Sequence, residues 1–329
     1  TNMKKTIINY LIFSITTLWI LSSCDNKKEE DKPQVKTGVV VTNAGNFGQG
    51  NGSLSFYDEE LKTITNNVIA TANSGAALGS IIESLYEHDG VGYLICNATD
   101  KIEFLNMTDF KFIANPVTNL NTPRYLVIIG DFAYITCWGP YDANWSLSDS
   151  YVAVMNIKTR SITDSLECGS GPEGILAIGN KLYVANSYET SISVIDLNNG
   201  QSTKIALDAA PQHFLLDGTG KLWVTVTSNY GAYPEDKVGM QSINTTNNTK
   251  DTFIKVQGLS DDGVVAVNSD ATKAYILTAE PWPSTRTDVK RINLSSKSVD
   301  FDFTIAGDNY YGIGYNSTTD MIYVSDATG

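Results

Sequence analysis

The residues in this sequence that could do chemistry are polar side chains at recurring positions, each just before a run of apolar, strand-forming residues. Arg124 and Glu173 both follow a proline, and Asp262 precedes a glycine. A guanidinium among carboxylates can bind a polar ligand, and carboxylate oxygens alone can bind Ca²⁺. In the other repeats, the equivalent residues are predicted to be Ser80, Gln212 and Tyr311.

Recognisable catalytic constellations are scarce. The two histidines, His88 and His213, belong to no His-Glu-x-x-His motif, and no serine lies in a Gly-x-Ser-x-Gly turn. We therefore expect no catalytic residues, no resident metal and no cofactor. A lactonase-like hydrolase is the lesser alternative and would need a divalent ion at Glu173 and Asp262. The residues that could complete such a Ca²⁺ site are Asn43, Asn186 and Asp326.

The elements that must position these residues follow from one repeated unit, residues 181–200. Two short apolar runs, Leu182 to Ala185 and Ile192 to Ile195, are rich in β-branched residues. Asn, Ser and Gly residues lie between and after the runs, which is typical of an antiparallel hairpin.

The same pattern recurs about every 40 to 50 residues, the period of a four-stranded β-propeller blade. The first run carries an aromatic residue at Tyr93, Tyr134, Tyr183, Trp223, Tyr275 and Tyr323. The second run ends on Asp58, Asn106, Asn156, Asp196, Asn244 and Asn293, whose side chains can bond the backbone two residues on. We therefore predict an all-β protein, a seven-bladed β-propeller of four-stranded antiparallel blades.

The predicted domain covers residues 38–329. We expect the chain to enter the first blade at its second strand and to stop within the seventh, so that the C-terminal blade is truncated. The predicted strands of blade one are Val39 to Asn43, Leu54 to Tyr57 and Ile64 to Ala70.

The N-terminus is predicted to be a lipoprotein signal peptide, residues 1–23. Lys4 and Lys5 precede an apolar stretch, and Leu21-Ser22-Ser23-Cys24 matches a bacterial lipobox. Cys24 would carry the lipid, and residues 24–37 would form a charged tether. We therefore expect contact with a membrane through the lipid anchor only, and location at the outer membrane with the domain facing outward.

Composition narrows the partners. The formal net charge of −13 argues against nucleic acid, which needs a basic surface. Cys96, Cys137 and Cys168 are an odd number and give no disulfide framework, so we predict that they are core residues.

Long loops between the second and third strands of several blades are rich in aromatic residues. Such side chains give flat apolar area with a polar edge, which suits a large ligand or a protein partner. An alternative is that about half of them only cover the tops of blades. The candidates are Phe47, Trp138, Tyr141, Trp145, Tyr230, Tyr233 and Trp282, with Tyr310 and Tyr311 from a neighbouring connection.

The unit YVANSYETSISVIDLNNG is similar to the Tyr-Val-Thr-Asn repeat of YncE-like propellers. The opening VVVTNAGNFGQGNGSLSFYD, with TPRY at 122–125 and YYGIGYN at 310–316, resembles Bacteroidetes-type surface lipoproteins that include the BtuG cobalamin-binding family. The resemblance implies capture of a corrinoid and delivery to a TonB-dependent outer-membrane transporter. A scaffold that binds protein or glycan partners in a surface complex remains the alternative.

Overall fold

The computed structural model describes residues 37–144, 146–280, 287–303 and 309–326. These residues form 24 strands and one short α-helix, together with two single-turn 3₁₀ segments at Asn97–Thr99 and Glu235–Lys237. All of them lie in a single unit that begins at Lys36. None of the helices within the described residues is long and apolar enough to span a membrane.

The elements follow in strict hairpin order along the chain. The first ten strands and the helix are β1 (Gly38–Asn43), β2 (Ser53–Asp58), β3 (Thr63–Thr65), α1 (Val68–Ala72), β4 (Ile82–His88), β5 (Val91–Cys96), β6 (Lys101–Asn106), β7 (Pro123–Ile129), β8 (Phe132–Cys137), β9 (Tyr151–Asn156) and β10 (Ser161–Glu167). The remaining strands are β11 (Pro172–Ile178), β12 (Lys181–Asn186), β13 (Ser191–Asp196), β14 (Gln201–Ala206), β15 (Ala210–Leu216), β16 (Leu222–Thr227), β17 (Gly239–Asn244), β18 (Thr249–Lys255), β19 (Val265–Val267), β20 (Lys273–Ala279), β21 (Thr287–Asn293), β22 (Ser298–Phe303), β23 (Tyr310–Asn316) and β24 (Met321–Asp326).

The sheets are antiparallel and pair neighbouring strands, as a β-propeller requires. β1–β3 and β4–β6 form three-stranded sheets, and the next four sheets, from β7 to β22, have four strands each. β23 and β24 form a two-stranded sheet. The all-β propeller prediction is confirmed, but the count of seven is wrong: the structure has six blades, because only two strand-forming runs lie between 310 and 326.

The first strand of each sheet from β4 onward lies nearest the axis. β4 contacts β7, β7 contacts β11, β11 contacts β15, β15 contacts β19 and β19 contacts β23. β1 and β2 correspond to the second and third strands of a blade, as predicted. The Asn43 amide donates to Ser53 and Ser55, just as the Asn186 amide donates to Ser191 and Ser193.

The recurring Asx residue has the local cause that the sequence predicted. In all six repeats its Oδ1 accepts a hydrogen bond from the backbone N–H two residues on, over 2.8 to 3.0 Å. The side chain thus starts the turn that leads to the next strand.

Apolar cores fill the spaces between sheets. One core joins the second and third blades around Tyr93, Phe104 and Met155. Another joins the fifth and sixth blades around Trp223, so the repeated aromatic residue is a packing residue. Cys96 and Cys137 are completely buried free thiols, which confirms the core prediction for both, and Cys168 is half-buried.

Blade one departs from the prediction after β3. The predicted strand Ile64 to Ala70 is instead three residues of strand followed by α1, and Val68 and Ile69 are buried against Leu54. Asn73 holds this arrangement: its Nδ2 donates to the carbonyls of Ile69 and Phe110 at 2.8 and 2.9 Å, and its Oδ1 accepts from the N–H of Phe112. Tertiary contacts therefore override the β-branched sequence.

The first and last sheets meet at a buried carboxylate. Glu59, directly after β2, accepts hydrogen bonds from Asn316 at 2.9 Å, from Thr319 at 3.3 Å and from the Tyr323 hydroxyl. The rings of Tyr57 and Tyr323 are 6.0 Å apart. Side chains more than 250 positions apart in the sequence thus join across this boundary.

Candidate functional site

The candidate site begins with a ring of bulged residues around the axis. At the entry of five inner strands, one residue is extra relative to its partner strand, a β-bulge that turns its side chain out of the regular alternation. The extra residues are Glu83, Arg124, Glu173, Gln212 and Tyr311, and Asp262 takes the corresponding place before β19.

The ring differs from the prediction in blade two. Ser80 is not its member, since its hydroxyl is buried and accepts a hydrogen bond from Gly50 in blade one. Glu83 holds the position, and it follows Ile82 where the next two blades have proline. The sequence carries no signal for Glu83, because isoleucine stands where the bulged residues of the next two blades are preceded by proline.

Hydroxyl groups on the second strands fix some of these bulges. The Thr136 hydroxyl accepts the N–H of Tyr125 at 3.0 Å and donates to the Glu173 carbonyl of the next blade at 2.8 Å. Thr225 does the same for His213 and the Gly263 carbonyl. The N–H that the bulge releases is therefore satisfied, and neighbouring ring residues are held at a fixed spacing.

Arg124 lies between two carboxylates. Its Nε and Nη2 donate to Glu173 over 3.0 and 2.6 Å, and its Nη1 donates to Glu83 over 2.5 Å. All three side chains are largely buried. The two-point contact with Glu173 fixes the orientation of the guanidinium as well as its position.

Trp138 covers this charged group. Its Nε1 donates to Glu173 at 3.0 Å, and its ring lies 4.1 Å from the centre of the Arg124 guanidinium. The ring also meets Tyr188 edge-on at 5.2 Å and Tyr141 at 6.5 Å. Glu173 thereby fixes the orientation of the Trp138 ring beside the axis. Trp138, Tyr141 and Tyr188 together form an aromatic wall.

The other side of the mouth belongs to blades five, six and the last sheet. Tyr230 and Tyr311 are 84% and 58% exposed. The blade-five loop that carries Tyr230 is fixed at Asp261, which accepts from the Tyr230 N–H at 2.9 Å and from the Ser228 hydroxyl at 3.1 Å. Burial and then the charge of Asp262, the next residue, raise the pKa of Tyr230, and the charge of Asp262 and then burial raise the pKa of Tyr311.

The electrostatics follow from one cation among several carboxylates. Burial, with the charges of Glu173 and Asp262, raises the pKa of Glu83 to about 7 despite Arg124. Burial and Glu173 raise the pKa of Asp262. Burial lowers the pKa of His213, whose ring lies edge-on to Tyr125 at 4.8 Å. The mouth is therefore acidic and sensitive to protonation near neutral pH.

Not every predicted residue joins this mouth. The prediction that Tyr310 faces the loops is wrong, since it is 7% exposed and packs with Leu277 and Val289, while Tyr311 beside it points outward. Tyr233 packs against the core between blades four and five. Phe47 is 82% exposed, and in the described part of the chain no hydrogen bond or ring contact ties it to the cluster. Trp145, Trp282 and Cys24 lie outside the described residues.

The structure also adds residues that sequence reasoning missed. Glu83 completes the charged group, and Tyr188, in the short turn after β12, extends the aromatic wall. The sequence carries no signal for Tyr188, because the aromatic residues were predicted from long loops and Tyr188 lies in a short turn.

A resident metal is not supported by the arrangement of side chains. Both carboxylate oxygens of Glu173 accept hydrogen bonds from Arg124 or Trp138, and Asn186 is buried in its own hairpin. Among the residues that the structure describes, no group of three or more His, Cys, Asp and Glu side chains could hold a metal ion.

Solved structures are similar to this chain at low sequence identity, and those with TM-scores above 0.5 share its fold. A chain of the mitotic checkpoint complex is 9% identical, with a TM-score of 0.60 over 88% of this chain and 81% of that one. Dihydro-heme d1 dehydrogenase NirN in complex with DHE is 11% identical, with a TM-score of 0.57 over 90% of this chain and 59% of that one. A Kuenenia stuttgartiensis hydrazine synthase chain is 18% identical, with a TM-score of 0.49 over 60% and 53%. The chain thus spans between half and three fifths of the length of the last two.

Comparison with family models identifies the family of this chain. No curated protein matches significantly. The model of a domain of unknown function, DUF5074, matches residues 37–329, which include every strand and the whole axial ring. The chain therefore belongs to the DUF5074 family.

Proposed function

We propose that this propeller is a non-enzymatic binding protein, anchored by a lipid on Cys24 and facing outward from the outer membrane. Its ligand is a bulky molecule with a polar edge, a corrinoid such as cobalamin, which it passes to a TonB-dependent transporter. The lipobox and the resemblance of residues 39–58 to surface lipoproteins support the location and the ligand class.

One observation carries the binding proposal. Aromatic side chains stand around a buried, charged floor at a single mouth. The half-buried Trp138 lies on one side with the exposed Tyr141 and Tyr188, and the exposed Tyr230 and Tyr311 lie on the other. Flat rings provide apolar contact area, and the polar floor would orient a ligand.

Binding fits this mouth better than catalysis. A general acid or base needs a group with a free position toward the reacting atom. Glu173 is used by Arg124 and Trp138, and His213 is packed against Tyr125. These contacts favour rigid recognition over the lactonase-like alternative.

The test is thermal unfolding of the protein with and without cobalamin. A ligand that binds only the folded state adds about 2.7 kcal/mol at 100 times its dissociation constant. We expect a clear rise in the melting temperature. A folded protein that shows no rise with cobalamin well above micromolar would contradict corrinoid capture and point to glycan or protein partners.

Two variants locate the binding surface. Tyr230→Ala and Tyr311→Ala remove exposed rings from the mouth, so they should weaken cobalamin binding with little effect on stability. Phe132→Ala is the matched control, because Phe132 is a partly exposed aromatic residue just after the turn from the first to the second strand, on the opposite face. Equal losses in all three variants would place the ligand elsewhere.

A further inference from the structure

A second set of repeated residues lies away from the mouth, in the turn between the third and fourth strands of a blade. The last residue of this turn has a positive φ, between 51° and 71°, and directly precedes the fourth strand. These residues are Lys62, Arg160, Gly200, Asn248 and Lys297.

Two of these side chains reach back to the preceding blade. The Asn248 amide oxygen accepts a hydrogen bond from the Tyr183 hydroxyl of blade four at 3.4 Å. The Arg160 guanidinium lies 5.3 Å from the centre of the Phe104 ring of blade two. Gly200 holds the same place in blade four and has no side chain to offer blade three.

The space opposite Gly200 is an open cavity of about 280 Å³ between blades three and four. Tyr134, Val154 and Asp164 lie side by side on β8, β9 and β10 and form one wall of it. Tyr134 is half-buried, and its hydroxyl has no hydrogen bond with any described residue, whereas the equivalent Tyr183 is 1% exposed. The remaining lining includes Leu166 and Leu197.

The equivalent boundary between blades two and three indicates what chemistry suits this cavity. There, the protein places the guanidinium of its own Arg160 over an aromatic ring. The open cavity has the ring of Tyr134 and, in addition, the carboxylate of Asp164, and none of its described lining residues is basic. A planar guanidinium can stack on such a ring and pair with a carboxylate at the same time.

We infer that the cavity between blades three and four is a docking site for an arginine side chain of a partner protein, which stacks on Tyr134 and pairs with Asp164. The formal net charge of −13 favours association with a basic surface. The cavity lies at the end of the blades opposite the mouth and uses none of the mouth residues, so the inference does not depend on the proposed ligand.

The experiment is an NMR titration of the protein with ¹³C-labelled Leu and Val methyl groups. Val154, Leu166 and Leu197 report on the cavity. Val194, which is equivalent to Val154 but buried in blade four, is the internal control. The probes are acetyl-arginine amide and acetyl-citrulline amide, which has nearly the same shape and no charge.

Three variants accompany the unchanged chain. Gly200→Asn introduces the residue that blade five has at this place, and a Cβ there would lie 3.8 Å from Leu166, an ordinary contact. Asparagine tolerates the positive φ. Asp164→Asn removes the charge from the cavity. Glu167→Gln is the matched control, since it removes an exposed charge from the same strand outside the cavity.

Acetyl-arginine amide should shift the three cavity methyl signals in a saturable way and leave Val194 unchanged. Acetyl-citrulline amide should bind about tenfold or more weakly, as for the loss of a charged hydrogen bond. Asp164→Asn should remove this preference, and Gly200→Asn should abolish the shifts. Glu167→Gln should behave as the unchanged chain does.

Equal affinity for the two probes, or no saturable shift in the unchanged chain, would overturn the inference. Shifts that persist in Gly200→Asn would also overturn it, and if that variant does not fold, Asp164→Asn decides. Cobalamin should bind Gly200→Asn and the unchanged chain equally, so either proposal can fail while the other stands.

Discussion

The two halves of the axial mouth share one backbone device and differ in what it presents. In blades two to four, the bulged residues are Glu83, Arg124 and Glu173, and their charges are paired. In the other half, Gln212 is neutral, and the exposed side chain of Asp262 has no hydrogen bond or ion pair with the described residues. The comparison teaches that a repeated bulge fixes position, whereas the residue type at each bulge decides whether the site is rigid or open to a ligand.

The largest loss of unfolding free energy should come from removing Arg124, the cation that Glu83 and Glu173 share. Arg124→Leu leaves two buried carboxylates facing each other, and breaking such a buried pair costs about 3–5 kcal/mol of unfolding free energy. Urea unfolding would measure it. The control is Lys250→Leu, which removes an exposed ion pair with Asp208 and should cost about 1 kcal/mol or less. Equal losses would mean that the buried ion pairs of Arg124 contribute no more to stability than an exposed ion pair.

Glu173→Gln should have the second largest effect. It weakens the two-point contact with Arg124 and the contact with Trp138, for a loss of about 2 kcal/mol. Denaturant midpoints would show it against Glu189→Gln, whose partly exposed carboxylate pairs with Lys204. If Glu173→Gln matches this control, the carboxylate does not hold the aromatic wall.

Glu83 should make the paired half sensitive to pH. The pKa of Glu83 in the folded state is raised to about 7. The free energy of unfolding therefore falls as pH rises from the ordinary pKa of a glutamate through 7, because Glu83 loses its proton over this range. Glu83→Gln should therefore gain stability relative to the unchanged protein over this range, by about 1.4 kcal/mol per pH unit at most.

The opposite sign is expected for His213, whose pKa is lowered by burial, so its contribution is lost as pH falls. The difference between Glu83→Gln and the unchanged protein in chemical unfolding at several pH values isolates the carboxylate. A difference that does not change with pH would show that Glu83 stays ionised throughout.

The smallest loss of stability is expected at Gln212, the neutral residue among the bulges. Gln212→Ala removes a single hydrogen bond from its Nε2 to the Thr227 hydroxyl, so it should cost about 1 kcal/mol. Thermal unfolding beside Arg124→Leu compares the same backbone position in the two halves. A loss as large as that of Arg124→Leu would show that the stability depends on any side chain at the bulge and not on its charge.

Much of the fold is readable from the sequence because its causes are local. The Asx turns and the aromatic packing positions repeat with the chain, so a hairpin such as 181–196 can be recognised without a structure. Helix α1 could not be, since Val68 and Ile69 favour a strand until Asn73 ties them to the loop at Phe110.

The site could be predicted less fully from the sequence, because its geometry depends on contacts between blades and not on local causes. Arg124 and Glu173 follow prolines that mark the bulge, but Glu83 follows isoleucine and carries no such mark. Which aromatic residues face the mouth depends on single-residue alternation, as in Tyr310 and Tyr311, and on contacts across blades, as for Tyr188.

The Glu59 contact has a consequence for the order of folding. Every sheet joins strands that are neighbours in the chain, so each hairpin can form early and quickly, with low contact order. The bonds from Asn316 and Tyr323 to Glu59 bring together segments from opposite ends of the domain. Such non-local contacts form late, so weakening them should speed unfolding and leave the folding rate nearly unchanged. The junction between the first and last sheets is thus a determinant of the lifetime of the folded state.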